Sequence, residues 1–335
     1  MRIPKKLMLA GLRVGSYLAY GTTAEANWIY EKVQRPESCL ILAMNLLYWK
    51  LHKPRICGVV SLLLEPAFDC NLRCRYCPWT LVPARLEGLR PRLMDWDIFR
   101  KAVDEAPASI ESIQLAGLGE PTLHPRLCEM IDYIADHGKR VVLFSNCTLL
   151  RGDLLEQLAR TRLSVLTVSG EPDEETCRQN RGIDLKTILR NVEQFVLRKR
   201  PETEVKLRLV ATSDNVCRID SLRESWGDIF QDVKICPAFQ LEGDGRAFSC
   251  MEPWRGNINV YTNGKVTPCC LDGFEDLIIG NVLEQSLSDI LRGDNFRKLL
   301  ACFTEGRAPK RCASCSDVKL EGLPSLIPRS ASKSK

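Results

Sequence analysis

Three cysteines, Cys70, Cys74 and Cys77, have the spacing that most clearly indicates chemistry in this sequence. They lie in the segment FDCNLRCRYCPW, directly after a predicted buried strand. Thiolates at CxxxCxxC spacing in one loop can ligate three irons of a four-iron cluster and leave the fourth iron without a protein ligand. That iron can then bind and reduce another molecule. A zinc site would instead need a fourth nearby ligand, for which His52 is the local candidate.

A second group of cysteines lies in the last third of the chain and consists of Cys250, Cys269, Cys312 and Cys315. The spacing is C-x18-C, then a predicted hairpin and helix, then C-x2-C. Four thiolates can ligate an iron-sulfur cluster completely. They also suit tetrahedral zinc, although the C-x2-C pair usual in a zinc ribbon is missing on the first side.

The chain has 16 cysteines in 335 residues, and no secretory signal is evident at its start. Clustered cysteines in a reducing compartment indicate metal or cluster ligands rather than disulfides, and we expect a cytoplasmic protein. The nine cysteines outside the two groups are predicted to be small buried apolar residues. Two of these, Cys236 and Cys270, are expected near a cavity between domains. The nine are Cys39, Cys57, Cys128, Cys147, Cys177, Cys217, Cys236, Cys270 and Cys302.

The three-cysteine loop, with Tyr76 directly before its last cysteine, resembles the motif of the radical S-adenosylmethionine (SAM) superfamily. The resemblance extends from Gly58 to about Cys236. It implies that the open iron of a [4Fe-4S] cluster chelates the amino and carboxylate groups of SAM. It also implies that the reduced cluster cleaves SAM to methionine and a 5'-deoxyadenosyl radical, which abstracts hydrogen from a substrate.

The same resemblance implies further contacts with SAM. The family's GGEP stretch corresponds here to AGLGEP, in which Leu118 separates Gly117 from a matching GEP. A glycine-rich strand end permits close backbone approach, and its bare carbonyl oxygens and a carboxylate suit the cationic amino group of SAM. Residues after the third and fourth strands and on the fifth fall where the family contacts the SAM carboxylate or ribose. The implied SAM-binding residues are Tyr76, Gly117, Gly119, Glu120, Ser145, Asn146, Ser169 and Arg208.

The second cysteine group resembles the Twitch domain, the shortened form of the SPASM auxiliary-cluster domain. The matching segments are CMEPW from Cys250, NGKVTPC ending at Cys269, and GNV from Gly280. The resemblance implies one auxiliary [4Fe-4S] cluster. Where such a cluster lies close to the substrate it accepts the electron left after hydrogen abstraction, so that the reaction is a net oxidation.

The positions of these motifs require repeated strand and helix units. Six predicted strands, 59–65, 112–117, 140–145, 163–169, 204–211 and 232–236, alternate with helices at 95–104, 124–137, 153–159, 184–199 and 218–226. This alternation predicts parallel pairing with right-handed crossovers and an α/β fold, a partial (β/α)6 TIM-like barrel with its site at the carboxyl ends of the strands. Asn263-Gly264 predicts a tight hairpin turn in which both residues have positive φ, and one helix is expected over 287–302.

The predicted domains are a basic helical segment at 1–57, the barrel at 58–237, a small auxiliary-cluster domain of a β-hairpin plus helix at 238–320, and a flexible tail at 321–335. An apolar share of 45% and a charged share of 27% argue against disorder, collagen and coiled coil. The longest apolar stretch, 39–51, is shorter than the roughly 20 residues of a membrane span. The first 60 residues have a net charge of +6, which is compatible with a membrane-surface contact but more simply with a capping role for the helices.

Three classes of function remain open on this basis. The first is hydrogen abstraction from a small-molecule, sugar or lipid-linked substrate, with a flavodoxin or ferredoxin as external electron donor. The second is maturation of a peptide, for which the 57-residue N-terminal segment is too short to be the usual winged-helix module. The third is a non-enzymatic iron-sulfur or zinc module that binds a partner; nucleic acid is disfavoured because no compact basic stripe with aromatics is present.

Overall fold

The computed structural model describes residues 35–212, 215–227, 229–230, 232–237, 250–307, 309 and 312. Its centre is one nine-stranded sheet with the order β6-β5-β4-β3-β2-β1-β7-β8-β9. The first six strands are parallel and adjacent in chain order, and the sheet does not close on itself. The expected α/β fold with a partial barrel is therefore confirmed. The strands are β1 (Ser61–Leu64), β2 (Ser112–Leu115), β3 (Arg140–Ser145), β4 (Val165–Gly170), β5 (Glu204–Ala211), β6 (Val233–Pro237), β7 (Asn257–Val260), β8 (Lys265–Thr267) and β9 (Gly280–Asn281).

Alternation along the strands separates two faces of the sheet. Apolar residues such as Ile113, Leu143 and Leu207 are fully buried under the helices. Their neighbours, among them Gln114, Phe144 and Arg208, are only partly buried and point to the concave side. Because helices cover the apolar convex face, the strand ends and the concave surface, which carries both polar and apolar side chains, are left for a ligand.

Helices cover the convex face between successive strands. Most agree with the predicted ranges to within three residues at either end, but α6 was not predicted because Cys177 is its only apolar residue. Its N-terminus is fixed by a capping box at Asp173, and its C-terminus by Gly182 at φ 70°. The helices are α1 (Pro36–Lys50), α2 (Pro78–Leu81), α3 (Trp96–Asp104), α4 (Leu127–Asp136), α5 (Gly152–Arg160), α6 (Glu174–Arg181), α7 (Leu185–Arg198), α8 (Leu222–Trp226), α9 (Leu287–Arg292) and α10 (Asp294–Thr304), with short 3-10 turns at Pro83–Arg85, Pro121–Leu123, Val216–Ser221 and Glu252–Trp254.

The C-terminal strands extend the sheet of the barrel. β7 pairs in parallel with β1, so that Ser61 lies opposite Asn257, and β8 pairs antiparallel with β7. The predicted hairpin is present, but the expected turn geometry is wrong, since only Gly264 has a positive φ, of 79°. The side chain of Asn263 instead accepts a hydrogen bond from the backbone N–H of Lys265 at 3.2 Å. The single helix expected over 287–302 is two helices, α9 and α10, which meet at Gly293.

The first described helix, α1, packs at the amino ends of β1 and β2. Cys39, Leu42 and Leu46 contact Val60 and Met251 in a small apolar cluster. Residues 1–34 and the tail 321–335, on which other expectations fall, lie outside the described residues. Within the described part of the chain, every helix is too short or too polar to cross a membrane.

Candidate active site

The cysteine loop lies at the carboxyl end of β1. The carboxylate of Asp69 accepts a hydrogen bond from the backbone N–H of Cys70 at 2.8 Å, and the backbone N–H of Leu72 points at the Cys70 Sγ at 3.4 Å. The backbone N–H of Cys77 donates to the carbonyl of Cys74 at 3.0 Å, which closes a turn between these two ligands. The chain therefore folds the three predicted ligands into one short loop above the sheet.

The three thiols lie close enough to influence each other's titration. Burial raises the pKa of Cys70 to about 12, with smaller contributions from Glu120, Cys74 and Cys77. Burial also raises the pKa of Cys74 and Cys77, and the guanidinium of Arg181 opposes this at Cys74. Cluster irons replace the thiol protons on binding, so ligation removes the cost of burying these groups as thiolates.

A cluster distributes its thiolates over several irons, which differs from binding of a single ion. Among the residues that the structure describes, no three His, Cys, Asp or Glu side chains converge closely enough to bind one metal ion. Ligation of three irons of a four-iron cluster by Cys70, Cys74 and Cys77 stays a prediction.

The GLGEP turn packs directly against the cysteine loop. A Cβ atom at Gly119 would lie 2.1 Å from the carbonyl oxygen of Ala67 and 2.4 Å from that of Asp69, so only glycine permits this approach. The next residue, Glu120, donates its backbone N–H to the Asp69 carbonyl at 2.9 Å. Gly117, at the start of the turn, is exposed and packs against the side chain of Glu65. A Cβ atom added to Gly117 would lie 2.5 Å from Glu65 Cγ.

The carboxyl group of Glu120 is buried and holds two strand ends together. Its Oε1 accepts hydrogen bonds from the backbone N–H of Thr122 at 3.1 Å, the Thr122 hydroxyl at 2.7 Å and the Ser145 hydroxyl at 2.7 Å. Its Oε2 accepts from the backbone N–H of Asn146 at 2.8 Å. Contact of this carboxyl with SAM stays a prediction; in the structure it fixes the turn after β2 to the turn after β3.

Asn146 reaches from the end of β3 to the cysteine loop. Its side-chain amide donates to Asn71 Oδ1 at 3.0 Å and lies 3.9 Å from Cys70 Sγ. Cys147, the next residue, is fully buried with φ 56°. The expected grouping of Ser145 and Asn146 with the GLGEP turn is therefore present, while their contact with SAM stays a prediction.

Tyr76 is anchored by a residue that the motifs did not indicate. Its hydroxyl donates to Glu171 Oε1 at 2.7 Å, at the end of β4. Glu171 is fully buried, and its carboxylate also accepts from Arg181 at 3.0 Å, Asn180 at 3.2 Å and Asn215 at 2.9 Å. Its place directly after a buried strand was the available sequence signal for Glu171.

Ser169 and Arg208 lie opposite each other on β4 and β5. The Arg208 guanidinium lies 5.5 Å from the centre of the Phe144 ring, and its Nε lies 3.1 Å from Cys236 Sγ. In the described part of the chain, no carboxylate forms an ion pair with Arg208. A partly buried cation at the carboxyl end of the strands suits a carboxylate or phosphate ligand.

A second buried carboxylate that the motifs did not indicate, Glu65, follows β1. It forms a bidentate ion pair with Arg90, with distances of 2.8 and 3.1 Å, and both side chains are completely buried. Arg90 lies between the rings of Phe68 and Tyr261, whose centres are 3.9 and 4.0 Å from its guanidinium carbon. Because these partners are far apart in the chain, spacing alone gave no signal for this pair.

The auxiliary cysteines are brought together only in part within the described residues. Burial raises the pKa of Cys269 well above its ordinary value, and Cys270, Glu252 and Cys250 add to the effect, so these groups are neighbours. Cys312 is buried against the main core, and Cys315 lies outside the described residues. Cys270, expected near the cavity between domains, lies with its Sγ 3.5 Å from Glu252 Oε1.

Comparison with known proteins identifies both cysteine regions. The model of the radical SAM superfamily matches residues 64–212, and the model of the SPASM iron-sulfur cluster-binding domain matches residues 244–316. The chain is 34% identical over 113 residues to a Pyrococcus furiosus cofactor-modifying protein for a tungsten-containing aldehyde ferredoxin oxidoreductase, a match over 32% of the chain but only 30% of that protein. It is 23% identical over 278 residues to the SAM-dependent 2-deoxy-scyllo-inosamine dehydrogenase of Niallia circulans, over 77% of the chain and 93% of that enzyme.

Solved structures share the fold. SuiB of Streptococcus suis bound to its precursor peptide SuiA superimposes with a TM-score of 0.59 at 14% identity, over 84% of this chain and 75% of SuiB. The structure of anSMEcpe with bound SAM superimposes with a TM-score of 0.57 at 18% identity, over 71% of this chain and 82% of that one.

Proposed function

Because the chain belongs to the radical SAM superfamily and carries a SPASM domain, we propose that it is a SAM-dependent enzyme that oxidises a small polar molecule. The cofactors are SAM, the [4Fe-4S] cluster that binds it, and an auxiliary [4Fe-4S] cluster in the SPASM domain. When bound, they supply a 5'-deoxyadenosyl radical that abstracts hydrogen from the substrate. The residues of this chain hold the cofactors, orient the substrate and exclude water.

The observation that supports this proposal best is the contact between the GLGEP turn and the cysteine loop. Asp69 accepts the backbone N–H of Glu120 through its carbonyl and that of Cys70 through its carboxylate. One residue thus positions both Cys70, the first of the proposed ligands, and the GLGEP turn at Gly119 and Glu120. A ligand that bridges an open iron and this turn would meet both surfaces at once.

Anaerobic reconstitution tests the enzyme class. We expect about eight irons per chain, the sum of two four-iron clusters, and release of 5'-deoxyadenosine when SAM and a reductant are added. Bound zinc without cleavage of SAM would overturn the proposal and favour a non-enzymatic binding module.

The concave face of the sheet supports a small hydroxyl-rich substrate. Ser61, Gln114, Asn257 and Asn259 are neutral polar residues on adjacent strands, and the Gln114 amide donates to the Ser61 hydroxyl at 2.8 Å. The Asn257 Oδ1 is buried without a hydrogen-bond partner among the described residues. The similarity to an inosamine dehydrogenase over 93% of that enzyme also supports a small hydroxyl-rich substrate. We therefore place sugars, cyclitols and their lipid-linked forms before peptides.

A screen of these compounds for stimulation of 5'-deoxyadenosine formation tests the substrate class. Under the proposal, a polyol or sugar increases its formation and is recovered two electrons more oxidised. Stimulation by a peptide alone would instead assign the chain to peptide maturation.

The electron donor in this proposal is a flavodoxin or ferredoxin. Residues 69–92, which contain the cysteine loop, carry four arginines besides the buried Arg90, against Asp69 and Glu87. Arg73 and Arg92 are exposed there beside a cavity of about 360 Å³. A basic surface next to the cluster attracts an acidic donor, so the rate of reduction should fall as ionic strength rises. A rate independent of salt would argue against this docking surface.

We also propose that α1 contacts an anionic membrane surface. Leu40 and Leu47 are 64% and 46% exposed on this helix, and Leu51, directly after it, is 55% exposed. The range 50–55 adds three positive charges. We expect cosedimentation with phosphatidylglycerol vesicles that Leu47→Glu abolishes. Leu197→Glu, at an exposed leucine on another helix, is the matched control and should leave it unchanged. Equal binding of both variants, or dimerisation that Leu47→Glu removes, would contradict the proposal.

A further inference from the structure

Leu118 interrupts the glycine motif of the SAM-binding turn, and its side chain lies outside that turn. It packs in a small apolar cluster with Phe274, Phe68 and Leu86. Its contact with Gly273 is so close that a Cβ atom added to that glycine would lie 2.6 Å from Leu118 Cδ1. The residue that departs from the family's pattern is therefore the one that touches the loop following Cys269.

That loop is rigidly built. The buried carboxylate of Asp272 accepts hydrogen bonds from the backbone N–H groups of Asp276 at 2.9 Å and Leu277 at 2.8 Å. It also accepts from the Thr267 hydroxyl at 3.1 Å. The hydroxyl of Tyr261 donates to the Asp272 carbonyl. A displacement of Gly273 is therefore passed on to its neighbours rather than absorbed locally.

The Glu65–Arg90 pair provides a second connection between the same two places. Glu65 Oε1 accepts the backbone N–H of Leu118 at 3.1 Å, and the backbone N–H of Thr262 also donates to this carboxyl group. Arg90 donates to the Gly273 carbonyl at 3.1 Å and lies 3.4 Å from Glu275 Oε1.

These contacts form a series of alternating charges that is buried except at its last member, Lys265, whose side chain is exposed. Glu275 pairs in turn with Lys265 at 2.5 Å, so Glu65, Arg90, Glu275 and Lys265 together are neutral. Buried pairs of this kind are costly to break, because removing one partner leaves an uncompensated charge. The turn and the loop are thus held in one relative position by a side-chain contact and by a charged network.

We propose that Leu118 is a positioning residue that couples occupancy of the SAM-binding turn to the loop carrying Gly273, behind Cys269. This inference rests on the proposed function, since it requires SAM at the GLGEP turn and a cluster at the auxiliary cysteines. SAM bound at Gly117 and Gly119 fixes the backbone of Leu118. The contact of Leu118 with Gly273 then changes the surroundings of the auxiliary cluster. Coupling between two sites is reciprocal, so a change at the auxiliary cluster changes the affinity for SAM by the same factor by which SAM affects the cluster.

The test uses the reconstituted full chain and four variants: Leu118→Ala, Gly273→Ala, the double variant, and Leu89→Ala. Leu89 belongs to the same apolar cluster but not to the GLGEP turn, so Leu89→Ala removes the same volume without touching the coupling. Gly273 has no positive φ, and its substitution acts only through the added methyl group. Two quantities are measured: the dissociation constant for SAM, and the electron paramagnetic resonance signal of the reduced auxiliary cluster with and without SAM.

We expect SAM to alter the auxiliary signal in the wild-type protein and in Leu89→Ala, but much less in Leu118→Ala, which keeps only the connection through Glu65 and Arg90. Gly273→Ala should weaken SAM binding about tenfold, because the methyl group overpacks against Leu118. The double variant, in which the smaller side chain makes room, should return to within about twofold of Leu118→Ala.

Three results would overturn the inference: no effect of SAM on the auxiliary signal of the wild type, equal behaviour of Leu89→Ala and Leu118→Ala, or no recovery in the double variant. Release of 5'-deoxyadenosine by the wild type is recorded in the same samples. It reports on the proposed function separately, because cleavage of SAM can proceed whether or not the two regions are coupled.

Discussion

The hydroxyl of Tyr76 donates a 2.7 Å hydrogen bond to Glu171, which ties the cysteine loop to the end of β4. Ninety-five positions separate the two residues along the chain. Burial raises the pKa of Tyr76 far above its ordinary range, so the hydroxyl remains a donor at neutral pH. The aromatic position of the cysteine motif therefore anchors the loop, while contact of Tyr76 with SAM stays a prediction.

Replacement of Tyr76 by Phe removes this bond and little volume. We expect the free energy of unfolding to fall by about 1.5–3 kcal/mol, the usual contribution of a hydrogen bond to a charged group, and cleavage of SAM to slow. Iron content should be unchanged, since the cysteines remain. Tyr133→Phe is the matched control, because the Tyr133 hydroxyl bonds Asp104 at 2.6 Å on the exterior, far from the motifs. Equal effects of the two variants on SAM cleavage would contradict an anchoring role.

Replacement of Glu120 by Ala should weaken SAM binding while leaving the iron content intact. The structure adds a cost in stability, because the Ser145 hydroxyl and the backbone N–H of Asn146 lose their acceptor, at about 1–3 kcal/mol for each buried group left unsatisfied. Chemical denaturation and equilibrium dialysis with labelled SAM measure the two effects. Glu129→Gln, on the exposed face of α4, should change neither. Loss of iron with unchanged SAM affinity would show that the turn does not bind SAM.

His124 gives the protein a predicted pH dependence of stability. It is buried; its Nε2 lies 3.1 Å from the Met94 carbonyl, and its Nδ1 accepts the backbone N–H of Arg126 at 3.2 Å. Burial lowers the pKa of His124 below 6.5, opposed in part by the Met94 bond. The unfolded chain therefore binds the proton more readily, so the stability contributed by neutral His124 is present above pH 6.5 and is lost as the pH falls below it.

Denaturation curves of the reconstituted protein at pH 7.5 and pH 6.0 check this expectation. Stability should fall between the two values, and His124→Gln should reduce the fall. His137→Gln, on the exposed end of α4, should leave it unchanged. A fall of the same size in His124→Gln would refute the assignment.

Much of the barrel follows from sequence because its strands are short apolar runs between clear breaks. β3 and β5 begin and end at the predicted residues, and the six strands pair in the predicted parallel order. The pairing of β7 with β1 was not predictable, because it joins segments almost 200 residues apart and the sequence pattern of neither strand indicates which strand it pairs with.

The candidate site also has a part that the sequence predicts and a part that only the structure shows. Cys70, Cys74 and Cys77 and the GLGEP turn are local motifs whose spacing carries their chemistry. Glu65 with Arg90, and Tyr76 with Glu171, become pairs only when the chain has folded, because burial and long-range contact define their roles. Leu118 was visible as an irregularity in a motif, but its contact with Gly273 required the structure.

Removal of Cys312 and Cys315 should separate the roles of the two clusters. Iron content should fall by about four, because one four-iron cluster loses two of its proposed ligands. Cleavage of SAM should persist, since Cys70, Cys74 and Cys77 are unchanged, whereas substrate oxidation should fall much further. Unchanged iron content would refute the four-cysteine assignment. Product formed at the normal rate after cluster loss would refute only the role as electron acceptor.

The central claim is that Cys70, Cys74 and Cys77 hold the cluster at which SAM is cleaved. The most direct measurement is 5'-deoxyadenosine release, with iron counting, for a variant in which all three are alanine. About four irons should be lost, those of one cluster, and the auxiliary cluster should keep its spectroscopic signal. Release of 5'-deoxyadenosine should be abolished. Reductive cleavage of SAM retained by this triple variant would contradict the account.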